Sequence, residues 1–81
     1  MDLTPLREFI TRLTPSHRSI GDDEPLLARG VIDSLNMVEL VAYLEQEHGI
    51  RIDDDELMPE NFDTLAHIGR FVQRKVSAVE K

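Results

Sequence analysis

The chain has 81 residues, no cysteine and a formal net charge of −7, which predicts one small domain over residues 1–81 and excludes disulfides, thiolate zinc sites and a cysteine nucleophile. The acidic balance argues against nucleic acid and anionic membrane as partners. No segment approaches the roughly 20 apolar residues of a membrane span, and the first residues lack the pattern of a signal peptide, so we expect a cytoplasmic protein.

The first predicted element is a helix close to the start of the chain. Thr4 is a suitable N-cap, and Pro5 suits the first helical position because no N–H is needed there. Pro15 ends this helix. Its apolar residues recur at the spacing of one helix face: Leu6, Phe9, Ile10 and Leu13.

A long connection over residues 14–33 follows the first helix. Gly21, Pro25 and Gly30 interrupt it. Its apolar residues predict that it packs over the core: Ile20, Leu26, Leu27, Val31 and Ile32. An irregular connection of this length is unusual in a compact domain, and such loops are usually functional.

The second helix has the clearest boundaries in the sequence. Asp33 can cap its start, residues 34–48 fill it, and Gly49 can adopt the left-handed conformation that ends many helices. Residues 50–52 then predict a brief extended step.

The last part of the chain predicts a short helix and a long one. The acidic run 53–56 opens a short helix that ends near Pro59. The final helix begins at Asp63 or Thr64, and Gly69 weakens it by up to about 1 kcal/mol relative to Ala. Its apolar face contains Leu65, Ile68, Val72 and Val76, with Phe71 beside it. The predicted fold is all-α, a small four-helix bundle of three main helices and one short helix.

Few residues suggest catalysis or metal binding. The three histidines lie far apart and form no metal-binding pair on a helix: His17, His48 and His67. The run 53–55 lacks the spacing of a calcium loop, and Glu45 and Glu47 point in different directions on a helix. The sequence therefore predicts a protein that is not an enzyme and that has no metal site.

The remaining candidate is the hydroxyl of Ser34. Residues 30–35 (GVIDSL) combine a turn, an apolar anchor, a cap and a helix start. The free N–H groups and the dipole of a helix N-terminus favour negative charge, so this position suits a phosphodiester. The alternative is that Asp33 and Ser34 serve only as ordinary capping residues.

The surrounding sequence resembles a known family. Residues 26–35 (LLARGVIDSL), running into 38–41 (VELV), resemble the phosphopantetheine attachment region of acyl and peptidyl carrier proteins. Residues 60–68 (ENFDTLAHI) are similar to the family's entry into its last helix. Helix order, the long first loop, chain length and the acidic middle agree, so the resemblance covers essentially the whole chain.

This resemblance implies a stand-alone acyl carrier protein with a four-helix bundle of acyl carrier type. A phosphopantetheinyl transferase would attach 4'-phosphopantetheine from coenzyme A to Ser34, and the cargo would be a thioester on the arm's terminal thiol. The implied partners are this transferase, an acyl- or aminoacyl-loading ligase or transferase, and downstream biosynthetic enzymes. The carrier itself is expected to be a non-catalytic monomer.

The second helix is also the expected docking surface. Residues 21–60 hold twelve acidic and two basic residues, which complements a basic protein surface; the alternative is that these charges only keep the domain soluble. On a helical wheel, Leu40, Val41 and Leu44 share a core side with Met37 at its edge. The resemblance assigns docking to the other side, where the alternative for Val38 and Ala42 is core packing: Asp33, Leu35, Val38, Glu39, Ala42 and Glu45.

The cargo remains open at this point. Housekeeping fatty-acid carriers commonly show D-S-L-D-[ST]-V-E-L, whereas Asn36 and Met37 follow Leu35 here. That pattern is similar to discrete carriers of specialised pathways, including aminoacyl and peptidyl carriers. Fatty acid, polyketide and nonribosomal peptide pathways are therefore all considered, with an amino acid as the alternative cargo. An alternative from another class is a helical protein–protein adaptor without a prosthetic arm.

Overall fold

A computed structural model describes residues 2–13 and 20–79 of the chain. The helices are α1 (Thr4–Leu13), α2 (Ser34–His48), α3 (Pro59–Phe62) and α4 (Leu65–Val79), and a 3-10 turn spans Asp54–Glu56. Within these two described ranges there is no strand. The predicted all-α fold with three main helices and one short helix is confirmed.

The start of α1 differs slightly from the prediction. Thr4 is the first helical residue rather than the cap, and its backbone N–H donates to Asp2 Oδ1 at 2.9 Å. This hydrogen bond lowers the pKa of the Asp2 carboxyl, because it favours the charged form. Pro15, the predicted end of the helix, lies outside the described residues, as does His17.

Both long C-terminal helices begin where local capping chemistry predicts. Helix α2 spans the predicted residues and ends at Gly49, whose φ of 63° lies in the left-handed region. Helix α4 begins after Thr64, whose Oγ1 accepts a hydrogen bond from the His67 backbone N–H at 3.1 Å. Thr64 thus satisfies one of the N–H groups that lack a partner in the first turn of a helix.

The short helix was placed wrongly at Pro59. The acidic run forms only the 3-10 turn, and Pro59 begins α3 instead of ending the preceding element. Proline fits the first turn of a helix because its missing N–H would have no intrahelical partner there. The physical property that ends one helix therefore starts the next.

Apolar side chains from every part of the described chain form one core. Phe62 and Phe71 meet at a centroid distance of 5.3 Å, and Phe9 of α1 stacks on Tyr43 of α2 at 4.2 Å. Burial raises the pKa of the Tyr43 hydroxyl. The buried apolar residues are Leu6, Ile10, Ile20, Leu26, Ile32, Leu40, Leu44, Ile50, Ile52, Phe62, Leu65, Ile68, Phe71 and Val72.

The described part of the long connection, from residue 20 onward, is fastened to the other end of the chain. Leu26 is fully buried, and its N–H donates to the Asp63 carbonyl oxygen at 2.6 Å. The Ala66 N–H donates to the Asp22 carbonyl oxygen at 3.1 Å, and Arg7 of α1 forms an ion pair with the Asp22 side chain. These contacts fix the segment that leads into α2. No helix in the described ranges is long and apolar enough to span a bilayer.

Candidate functional site

Ser34 is the first residue of α2 and is exposed to solvent. Asp33 precedes it with an extended backbone, and Asp33 Oδ1 accepts a hydrogen bond from the Asn36 N–H at 2.9 Å. The Asp33 carbonyl oxygen also accepts from the Met37 N–H at 2.8 Å. Asp33 therefore defines the helix start and leaves the Ser34 side chain at its exposed end.

A tight turn before α2 sets the direction from which the chain reaches Asp33. The Leu26 carbonyl oxygen accepts hydrogen bonds from the N–H groups of Val31 (2.9 Å) and Ile32 (3.3 Å). Gly30 has a φ of 72°, a conformation that costs other residues steric energy. The Asn36 side-chain amide nitrogen lies 3.5 Å from the Val31 carbonyl oxygen. Asn36, interpreted from sequence as a pathway marker, thus also contacts the turn before its own helix.

An apolar groove of about 250 Å³ opens beside Ser34. The first helical turn of α2 contributes Ser34 and Met37, and the segment between the 3-10 turn and α3 contributes Leu57, Met58 and Pro59. Leu27, Ile32 and Asp33 complete the lining. The sequence analysis did not identify residues 57–59 as part of the site. The available signal was an apolar pair, Leu57 and Met58, between an acidic run and a proline.

The exposed side of α2 carries most of the predicted docking residues. Leu35 and Val38 are 74% and 69% exposed, although both are large and apolar. Val38 therefore does not pack in the core, and Glu39 and Ala42 are also exposed. Leu40 and Leu44 are fully buried, as the helical wheel predicts.

Glu45 differs from the other predicted docking residues. It is half-buried, and its Oε2 accepts a hydrogen bond from the Ile52 backbone N–H at 2.8 Å. The carboxylate thereby anchors the buried step that follows Gly49. The structure brings Asp33, Leu35, Val38, Glu39 and Ala42 onto an exposed surface, whereas Glu45 reaches back to its own chain.

The other titratable candidates do not assemble into a second site in the described residues. His48 lies in the last turn of α2, and His67 lies in α4 with its Nδ1 buried and without a hydrogen-bond partner. The search for three or more metal-ligating side chains close together finds none within residues 2–13 and 20–79.

The residues at the start of α2 fit a covalently attached phosphodiester. The Ser34 hydroxyl is accessible, and the N-terminus of a fifteen-residue helix favours the negative charge that such a group brings. The adjoining groove is wide enough to contact an attached chain and offers it apolar side chains. No acid–base pair is needed at this position for a group that another enzyme attaches.

Comparison with known proteins gives the same identification. The family model described as phosphopantetheine attachment site matches residues 5–72, while no curated protein matches. A solved structure titled "Crystal structure of FAD-dependent dehydrogenase" is similar with a TM-score of 0.65 and 34% identity, over 68% of this chain and 78% of that chain. The chain therefore belongs to the phosphopantetheine-binding carrier family, whose members hold a covalently attached 4'-phosphopantetheine group.

Proposed function

We propose that the protein carries acyl intermediates as thioesters on a phosphopantetheine arm at Ser34, for fatty acid, polyketide or related natural-product biosynthesis. The observation that carries this proposal is the exposed Ser34 at the start of α2, within the matched family segment and beside an apolar groove. The arm supplies the thiol that a protein without cysteine lacks. The protein itself then needs only to present the arm and to dock.

The residues around Ser34 have separate tasks in this proposal. Asp33 fixes the helix start, so that the serine hydroxyl stays at the exposed end of α2. Leu35, Val38 and Ala42 provide an apolar docking patch, and Glu39 meets basic residues of the transferase and of the biosynthetic enzymes. Electrostatic attraction of this kind raises association rates and orients partners more than it adds affinity.

An amino acid remains the second candidate cargo. The pattern of Asn36 and Met37 after Leu35 supports it, because it is similar to aminoacyl and peptidyl carriers. The two cargo classes differ in the enzyme that loads them. An adenylate-forming ligase would load an amino or aryl acid, whereas a malonyl transferase would load a fatty-acid or polyketide unit. Loading by one enzyme class and not the other decides between them.

The similar solved structure supports one further class of enzyme for that comparison. One alignment covers 68% of this chain and 78% of the other, so the matched chain is of similar length to this one. A chain this short has little room to enclose a flavin and a substrate pocket. We therefore include a flavin dehydrogenase acting on thioester cargo among the downstream enzymes to be tested.

Mass spectrometry tests the proposal directly. The protein is incubated with coenzyme A, magnesium and a promiscuous phosphopantetheinyl transferase, and we expect one phosphopantetheinyl group on Ser34. Ser34→Ala abolishes this gain, while Ser77→Ala, which changes an exposed serine of α4, leaves it intact. A group on Ser16, Ser19 or Ser77, or no group with an active transferase, contradicts the proposal. The adaptor alternative requires no such modification.

A further inference from the structure

Residues 57–59 form one wall of the groove beside Ser34, and this wall is held by α4. We call it the 57–59 wall. Leu57, Met58 and Pro59 line the groove together with Ser34 and Met37. The residues directly before and after the wall, Glu56 and Asn61, make the side-chain contacts described next.

Glu56 anchors the N-terminal side of the wall. Its Oε1 accepts a hydrogen bond from the Asp53 N–H at 3.0 Å, and Lys75 Nζ donates to Oε1 and Oε2 at 2.9 and 3.1 Å. The Glu56 and Lys75 side chains are only 28% and 25% exposed. Water therefore screens this pair less than it screens a fully exposed ion pair.

Asn61 anchors the other side and links back to Glu56. Its Nδ2 donates to the Glu56 carbonyl oxygen at 2.8 Å, and its Oδ1 accepts from Arg74 Nη2 at 3.2 Å. Its backbone N–H donates to the Met58 carbonyl oxygen at 2.9 Å. Both ends of the wall are thus tied to two consecutive residues of α4, Arg74 and Lys75.

We propose that the contacts of Glu56 with Lys75 and of Asn61 with Arg74 set the position of the 57–59 wall, and so determine how closely the groove fits an apolar group on the arm. This inference rests on the proposed function, because it assigns positioning residues to the same site. The four side chains are positioning residues: Lys75 and Arg74 do not line the groove, and they act on it through Glu56 and Asn61.

Two substitutions on one helix separate positioning from a general effect of charge. Lys75→Gln removes the contact to Glu56, whereas Arg70→Gln removes another positive charge from an exposed position of α4. In the unmodified full-length protein we expect hydrogen exchange of the Leu57 amide to be at least about threefold faster in Lys75→Gln than in Arg70→Gln. Arg74→Gln, which removes only the Asn61 contact, should shift it in the same direction.

The methionines report the fit of the arm-borne group. Of the three in the chain, Met37 and Met58 line the groove, so ¹³C-methyl labelling gives one signal from each wall. The transferase is supplied with acetyl- or hexanoyl-coenzyme A to install each arm on Ser34. In the wild type and in Arg70→Gln, the hexanoyl arm should shift both methyl signals more than the acetyl arm. In Lys75→Gln this difference should be lost.

Failure of the inference and failure of the proposed function give different results. If the arm attaches to Ser34 but Lys75→Gln and Arg70→Gln give equal exchange and equal methyl shifts, the positioning role is overturned and the carrier function stands. Equal shifts with both arms in the wild type also overturn it. If no arm attaches to Ser34, the proposed function fails and with it the role in fitting cargo. Circular dichroism and a thermal midpoint for each variant identify any that fail to fold, and Arg74→Gln then replaces Lys75→Gln.

Discussion

Glu39 and Glu45 lie on the same helix and carry the same charge, but their surroundings give them different roles. Glu39 is exposed, whereas the Glu45 carboxylate accepts a hydrogen bond from the Ile52 N–H. Sequence alone groups them, because both lie near the exposed side of α2. The difference arises from a backbone group seven residues further along, which Gly49 turns back toward the helix.

The first prediction follows from this difference. Glu39→Lys should slow transfer of cargo to and from partner enzymes by about threefold to tenfold at low ionic strength, because it reverses a charge that steers association. Added salt should reduce the effect. Val38→Asp should slow transfer too, with little dependence on salt, because it places a charge in the apolar patch. Stopped-flow measurement of transfer rates at two salt concentrations checks both.

Glu45→Gln serves as the matched control for Glu39→Lys. The glutamine retains a side-chain oxygen that can accept from the Ile52 N–H, so we expect nearly normal transfer and stability. Glu45→Ala removes the acceptor and should lower the free energy of unfolding by about 1–2 kcal/mol. If Glu39→Lys transfers cargo at the wild-type rate in low salt while Glu45→Gln does not, the docking residues are assigned wrongly.

At the scale of the elements, the left-handed end of α2 makes a second prediction. Gly49 has a φ of 63°, and a Cβ added there would meet no atom within 4 Å, so any cost of Gly49→Ala comes from the backbone alone. We expect a loss of about 1–2 kcal/mol in the free energy of unfolding. Gly21 also has open space but no left-handed φ, so Gly21→Ala should cause no loss and can add up to about 1 kcal/mol. Urea unfolding of both variants decides this, and equal changes would rule out the backbone explanation.

The tie between the 3-10 turn and α4 makes a third prediction, which concerns pH. Hydrogen bonds from the Asp53 N–H and from Lys75 hold the pKa of the Glu56 carboxyl below its ordinary value of 4.5. Because the folded pKa is the lower one, this group's contribution to stability is complete above the unfolded pKa and is lost as the pH falls through the folded pKa. We therefore expect stability to decline more steeply below pH 4.5 in the wild type than in Glu56→Gln. Parallel pH profiles of the two proteins would contradict this.

The elements show which features the sequence can reveal. The boundaries of α2 depend on Asp33 and Gly49, whose conformational preferences are local, so they could be predicted to the residue. Pro59 was misplaced because a proline suits both the end of one element and the start of the next. The groove was missed because it requires α2 and residues 57–59 to meet in space. The contact between Glu56 and Lys75, nineteen residues apart, is likewise invisible to any local pattern.

At the scale of the whole molecule, stability and presentation of the serine depend on the same buried anchor. Leu26 is fully buried, its N–H contacts the start of the C-terminal helical region, and its carbonyl oxygen holds the turn before Asp33. Leu26→Ala should lower the free energy of unfolding by about 2–5 kcal/mol. That is a large share of the 5–15 kcal/mol typical of a folded domain, so modification of Ser34 should also decline at elevated temperature.

The same substitution at an exposed leucine is the control for this fourth prediction. Leu35 is 74% exposed, so Leu35→Ala should change stability by no more than about 0.5 kcal/mol. It should instead weaken docking, because Leu35 belongs to the apolar patch. Denaturant titrations and transfer assays on both variants give opposite orders of effect. Equal losses of stability in the two variants would show that Leu26 is not an anchor.

The groove also makes the carrier sensitive to oxidation. The chain has no cysteine, so its sulfur atoms belong to three methionines, and two of these line the groove beside Ser34. Peroxide converts a methionine thioether to a sulfoxide, which is polar and chiral. Met58 is 43% exposed and is therefore open to attack without any unfolding. Oxidation would make the groove walls polar while the core, which contains no methionine among its buried residues, keeps its packing. A preparation stored in air would then remain folded and accept its arm, yet present a changed surface to the group that the arm carries.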